Sequence, residues 1–233
     1  MSILGIKSSG EKIVTNGLIR YIDAAQLRSY SGTGTLWNDV IRTGTSGSLI
    51  NGPTFNSANG GAIVFDGTND RVAFSDTGLP SGTTSRTFSI WFYFNVMQLQ
   101  AAISYGTPNV TNSRQHWAIG TLNNRIWMTT EGPNYNFGDT TRTTNTWYNA
   151  TATYDGTNLT RYINGAQVAT NNLVTDGAQI NTVLNGNFTI GDYTNTAFFP
   201  WNGRVANAAI YNRALSATEV AQNYNALRVR FGL

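Results

Sequence analysis

The chain has 233 residues, a formal net charge of +3 and no cysteine, which fits one large domain and excludes disulfides and thiolate metal sites. Charged residues make up 12% of it, the same share as aromatics, against about 25% in an average domain. The surface must therefore be built from Asn, Thr, Ser and Gly, and the scattered single arginines form no stripe that would track a nucleic acid.

Residues 1–16 read as an N-terminal arm carrying Ile3, Leu4 and Ile6. The opening MSILGIKSSGEKIVTNG has no apolar region of the signal-peptide kind, and no stretch reaches membrane-spanning length. Short strands bounded by Gly/Asn/Asp turns are expected at 18–22, 62–65 and 70–74. In TFSIWFYFN (87–95), Phe88, Ile90, Phe92 and Phe94 alternate onto one face, and Trp91 and Tyr93 share the other with Ser89. Such a strand is central, covered on both sides. Strands follow at 100–105, 116–121 and 124–130.

The run TWYNATATYDGTNLTRYINGAQVAT (146–170) reads as a β-meander. One strand ends at Tyr154, Asp155-Gly156 turns, a second runs from Leu159 to Ile163, and Asn164-Gly165 turns into a third. The aromatic-Asp-Gly-Thr-Asn sequence occurs at 65–69 and again at 154–158, without the flanking sequence repeating. Both copies read as turns, with Asp making an Asx turn and Gly taking the positive φ. Strands at 187–191 and 203–211 complete the β set. One helix is expected from Ser216, where Ser-x-x-Glu with Glu219 forms a capping box, and Val220, Tyr224 and Leu227 recur at helical spacing. Residues 228–233 read as a tail whose Val229, Phe231 and Leu233 alternate with Arg228 and Arg230. That alternation suits a strand added to a neighbour's sheet edge. Many short strands with one terminal helix predict an all-β, two-sheet antiparallel sandwich over residues 17–227.

The series GLIRYIDA, GGAIVFDGTNDRVAF, RTFSIWFYF, TWYNATATYDGTNLTRYINGAQV, FTIGDY and NGRVANAAIYNRALSATEVAQNY resembles, motif by motif and in order, the concanavalin A-like lectin/glucanase superfamily. The likeness is to its laminin-G-like jelly-roll branch. The first stretch, GLIRYIDAAQLRSYSGTGTLWNDV, and the last, IYNRALSATEVAQNYNALRVRFGL, look like the version found in tailed-phage structural proteins. The resemblance implies jelly-roll topology. Family members commonly carry an acidic residue early in the last strand, where this chain has Ala206 and Asn207, which weakens any inherited calcium site.

Glycoside hydrolysis needs two carboxylates flanking the scissile bond. The glucanase branch supplies them as Glu-x-Asp-x-x-Glu, and Glu11, Glu131 and Glu219 do not form that pattern. The single His116 has no nucleophile-elbow motif beside it, and a lone histidine opening a strand reads as an edge or loop residue. No catalytic residue is assigned. Calcium takes six to eight oxygens; Asp66, Asn69 and Asp70, or Asp155 and Asn158, could contribute but offer too few by themselves, so no cofactor is expected and calcium at these turns is the alternative. Two loops join aromatic rings to hydrogen-bonding groups, the combination of a small-ligand site. One holds Tyr135 and Phe137 after Trp127, and the other Phe198, Phe199 and Trp201. These rings fill the core or plug the sandwich ends, fill a protein contact or bind glycan. The expectation is a non-enzymatic virion structural protein of a tailed phage. It would be made in the host cytoplasm and displayed on the virion surface, with other virion proteins and further copies of itself as partners. Ile3, Leu4, Ile6, Val229, Phe231 and Leu233 would serve as assembly contacts. The alternative is a lectin-like module for cell-surface glycans.

Overall fold

The computed structural model describes residues 10–41, 45–108, 113–123, 125–129, 141–193 and 198–233. Among these residues fifteen strands appear in chain order, beginning with β1 (Leu18–Asp23), β2 (Leu36–Asn38), β3 (Ser46–Ile50), β4 (Thr54–Asn56) and β5 (Ala62–Asp66). Next come β6 (Arg71–Phe74), β7 (Arg86–Phe94), β8 (Gln100–Gly106), β9 (His116–Leu122) and β10 (Arg125–Thr129). The last five are β11 (Trp147–Tyr154), β12 (Asn158–Ile163), β13 (Ala166–Asn172), β14 (Phe188–Ile190) and β15 (Asn202–Tyr211). The helix α1 (Ala217–Arg228) follows, continued by a 3-10 turn at Val229–Phe231.

The strands form two antiparallel sheets. One is eight-stranded, in the order β13-β12-β11-β7-β15-β5-β4, with β1 beside β15; the other is seven-stranded, β10-β9-β8-β14-β6-β3-β2. Strand β15 is long enough to carry two partners along one edge. Its first half pairs with β5 (Asn202 opposite Asp66) and its second with β1 (Tyr211 opposite Leu18). This is the expected all-β sandwich with a single short terminal helix.

The period-2 reading of 87–95 holds. Phe88, Ile90, Phe92 and Phe94 enter the core between the sheets, meeting Val72, Phe74, Ile103, Trp117, Ile119, Phe188 and Ile190 of the opposite sheet. Each fully buried side chain of this size is worth about 1.5–3 kcal/mol. Trp91, on the other face, stacks on Tyr224 at 5.6 Å and on Phe231 at 4.2 Å. The strand is covered on both sides because α1 lies over the eight-stranded sheet. Val220 packs against Leu18, Tyr162 and Tyr211, while the Ser216 hydroxyl and the Glu219 carboxylate exchange hydrogen bonds with each other's backbone N–H.

Both Asp-Gly-Thr-Asn copies are Asx turns. Asp66 Oδ1 accepts from the Thr68 N–H (2.7 Å), and Asp155 Oδ1 from those of Thr157 (2.8 Å) and Asn158 (2.6 Å). Gly67 and Gly156 sit at φ 81° and 103°, where a side chain would be strained. Partial burial raises the Asp155 carboxyl, but the bonds from Asn158 and Thr157 outweigh it and hold it below its ordinary value. Asn164 and Gly165 both take positive φ, the primed turn that suits a hairpin.

The chain ends depart from expectation. Residues 12–16 are not a free arm: Val14 N–H donates to Asn223 Oδ1, Tyr211 Oη to the Val14 carbonyl, and Arg213 Nε to the Asn16 carbonyl. The tail is not a strand available to a neighbour. Its Val229–Phe231 turn is helical, and Phe231 is buried against Trp91 and Trp147. Its alternation of apolar and basic residues places Arg230 and Phe231 together on the sandwich, with Leu233 partly exposed. Ile3, Leu4 and Ile6 lie outside the described residues.

Candidate functional site

With α1 on the eight-stranded sheet, the candidate site lies on the outward face of the seven-stranded one. Side chains that alternate away from the core on β8, β9 and β10 leave a floor of small residues there, Ala101, Ala118 and Gly120, with Trp127 and Tyr193 packed over it. Trp127 is buried and its indole N–H donates to the Thr121 carbonyl (2.8 Å). Gly120 is what lets it lie flat, since a Cβ there would stand 2.8 Å from the Trp127 ring and 2.0 Å from the Gln100 carbonyl.

The segment leaving β14 supplies the rest. Gly191 N–H donates to the Ala102 carbonyl, Ser104 Oγ to the Asp192 carbonyl, and Ala101 N–H to the Phe199 carbonyl. Tyr193 N–H bonds the Phe198 carbonyl at 3.1 Å, closing the loop. Phe199 takes φ 64°, a conformation costly for a bulky residue. This gathers three rings tilted to one another by 37–60°: Tyr193 lies 5.4 Å from Phe199 and 6.3 Å from Phe198, and Phe198 lies 4.2 Å from Phe199. Phe198 is 44% exposed.

At the foot of Tyr193 a small cleft with about 10 Å³ of free space, enough for one water-sized group, is lined by Ser104, His116, Asn185, Asn187 and Thr189. The turn bearing Asn185 is fixed by Asp76, whose Oδ2 accepts from the backbone N–H groups of Asn185 and Gly186. His116 is not at a sheet edge: β9 lies between β8 and β10, and the imidazole is 1% exposed. Its ring meets Tyr193 edge-on at 4.3 Å. Burial lowers its pKa to about 3, against a smaller opposing contribution from a hydrogen bond to the Tyr193 main chain. The imidazole is therefore neutral at physiological pH.

The sequence candidates divide. Trp127, Phe198 and Phe199 come together here. Trp201 does not: it is fully buried in the main core, edge-on to Phe92 at 5.2 Å, so of its three readings the core one applies. Tyr135 and Phe137 lie outside the described residues. Sequence reasoning did not single out Tyr193, the hub of the cluster, although the GDY that follows the β14 strand marks it. Among the described residues no group of three or more His, Asp or Glu side chains is placed to hold a metal ion.

Residues 66–221 match a laminin-G model of the concanavalin A-like lectin/glucanases superfamily. Three solved structures show the fold. A Trypanosoma rangeli sialidase in complex with sialic acid aligns with TM-score 0.66 and 14% identity over 95% of this chain and 35% of its own. Domain 4 of an extracellular GH43 arabinanase from Geobacillus stearothermophilus, in complex with arabinotriose, aligns with TM-score 0.65 and 17% identity. It covers 89% of this chain and 98% of its own. The botulinum neurotoxin serotype G binding domain gives TM-score 0.62 and 17% identity over 89% of this chain and 50% of its own. The chain thus spans only about a third of the sialidase. No curated protein matches it in sequence.

Proposed function

We propose that this chain, which belongs to the concanavalin A-like lectin/glucanases superfamily, is a non-enzymatic carbohydrate-binding module that seats its sugar on the outward face of the seven-stranded sheet. The observation that carries the reading is the Tyr193–Phe198–Phe199 ring group beside a cleft lined with hydroxyl and amide side chains. The mutually tilted rings give an apolar wall and the polar groups fix orientation, as in small-ligand sites generally. The neighbour domain that holds arabinotriose supports it by likeness of fold only. The non-enzymatic part rests on the sequence, which has no Glu-x-Asp-x-x-Glu run to set two carboxylates about a glycosidic bond.

An array of immobilised oligosaccharides that includes arabinotriose and sialylated glycans tests this. The chain is expected to bind a subset of the array and to release reducing sugar from none of it. An array without a single bound glycan, or turnover that a single Asp or Glu substitution abolishes, contradicts the proposal.

A second reading concerns where the module is carried, and the two are compatible. We propose that it is displayed on the surface of a tailed-phage particle, held by other virion proteins and by copies of itself. The support is sequence likeness at the two ends of the domain, segments that the β1–β15 pairing sets side by side. Mass spectrometry of purified particles is expected to find the chain at constant stoichiometry to the major capsid or tail protein. Its absence from washed particles contradicts this reading and leaves the carbohydrate one standing.

A further inference from the structure

We propose that His116 is a specificity-determining acceptor, and that the cleft at the foot of Tyr193 is a subsite for one hydroxyl group of a bound saccharide. This rests on the carbohydrate reading above and adds to it the chemistry that the ligand must present.

A neutral imidazole has one N–H donor and one bare acceptor nitrogen. The main chain of Tyr193 takes one hydrogen bond of this ring. Nδ1 is buried and has no hydrogen-bond partner, which is rare for a buried polar atom and calls for an explanation. The same side chain lines the cleft. An acceptor in that position takes a donor, and the surroundings decide which kind. The polar side chains around the opening are Ser104, Asn185, Asn187 and Thr189, all uncharged. The nearby Asp76 carboxylate already accepts from two backbone N–H groups through Oδ2. The buried Asp192 carboxylate is likewise engaged, its Oδ1 accepting from the Tyr193 N–H, and it does not line the cleft. An ammonium or guanidinium group would therefore enter without a carboxylate in the lining, at a desolvation cost. A hydroxyl enters without that cost, donates to Nδ1, and leaves its own oxygen to accept from an amide or hydroxyl at the rim. The cleft has room for one such group and no more, so the remainder of the sugar ring stays outside, where Tyr193, Phe198 and Phe199 stand. Removing the acceptor loses one neutral hydrogen bond, expected to weaken binding about 5- to 10-fold.

His116 is the only histidine in the chain, so selective ¹⁵N-histidine labelling gives a spectrum of one imidazole. On titration of the whole chain with arabinotriose and, separately, sialic acid, Nδ1 is expected to move upfield and saturate, as an acceptor does when it gains a donor. Ring resonances of Tyr193 are expected to respond over the same range, and His116→Phe to bind about 5- to 10-fold more weakly. If the Tyr193 and Phe198 rings respond but Nδ1 does not, and His116→Phe binds like wild type, the subsite is overturned and the carbohydrate reading stands. If neither saccharide moves any ring on this face, the carbohydrate reading falls there and takes the subsite with it. If Nδ1 already resonates as a hydrogen-bonded acceptor in the free protein and does not change, a resident water owns the position, which also overturns the proposal. The labelled wild-type spectrum decides these outcomes even where His116→Phe fails to fold.

Discussion

Replacing Arg230 with alanine is expected to cost the fold about 3–5 kcal/mol, the range for breaking a buried ion pair and stranding its partner. Arg230 Nη1 lies 2.8 Å from Asp23 Oδ1, and both side chains are almost fully enclosed. The guanidinium also donates from Nε to the Asn59 carbonyl and from Nη2 to the Gly61 carbonyl. One side chain from the last turn thus ties β1 to the loop before β5. Its neighbour Phe231 sits 4.2 Å from Trp91 and 4.6 Å from Trp147, and Phe231→Ala is expected to cost a comparable 3–5 kcal/mol. Deleting 228–233 removes both and should leave little folded protein, since total stability for a domain is about 5–15 kcal/mol. Urea unfolding of the full-length variants checks this through a lower midpoint at unchanged slope. A truncated chain within about 1 kcal/mol of wild type would show the last turn to be an ornament.

The second large effect separates two aromatics that look alike in the sequence. Trp201→Ala is expected to destabilise by about 3–5 kcal/mol, the cost of truncating a buried indole. It is fully enclosed, packed edge-on against Phe92 and, at 6.3 Å, against Phe94. Phe198→Ala, three residues earlier and 44% exposed, is expected to stay within about 0.5–1 kcal/mol of wild type. Equal losses in the two variants would mean that Phe198 is a packing residue too.

The strands with dense apolar alternation were legible residue by residue. Those of 86–94, 147–154 and 202–211 carry their own hydrophobic faces, and the meander turns declare themselves in Asp-Gly and Asn-Gly. The helix was legible because capping and a 3.6-residue stripe agree. The strands β2, β3 and β4 were not: SGSLI and TFN are short and poor in apolar residues, and they are strands because β6 and β5 offer them partners. The tail misled because three alternating residues fit a strand and the end of a helix equally well. What decides is Trp91 and Asp23, far away in the chain. The site was half legible. Phe198, Phe199 and Trp127 could be named from composition, but whether a ring faces solvent or core depends on which sheet it lies over. Trp201 and His116 show it: one is core, the other a buried imidazole held by Tyr193 from a segment distant in sequence.

If the outward face of the seven-stranded sheet holds the sugar, removing its exposed rings in a Phe198→Ala/Phe199→Ala double variant must weaken binding. Assayed on the same oligosaccharide array as wild type, at a concentration where both are folded, the double variant is expected to lose at least about tenfold in affinity, the equivalent of about 1.4 kcal/mol of ring contact. A double variant that binds the same glycans with wild-type affinity would contradict the account and place the sugar elsewhere on the molecule.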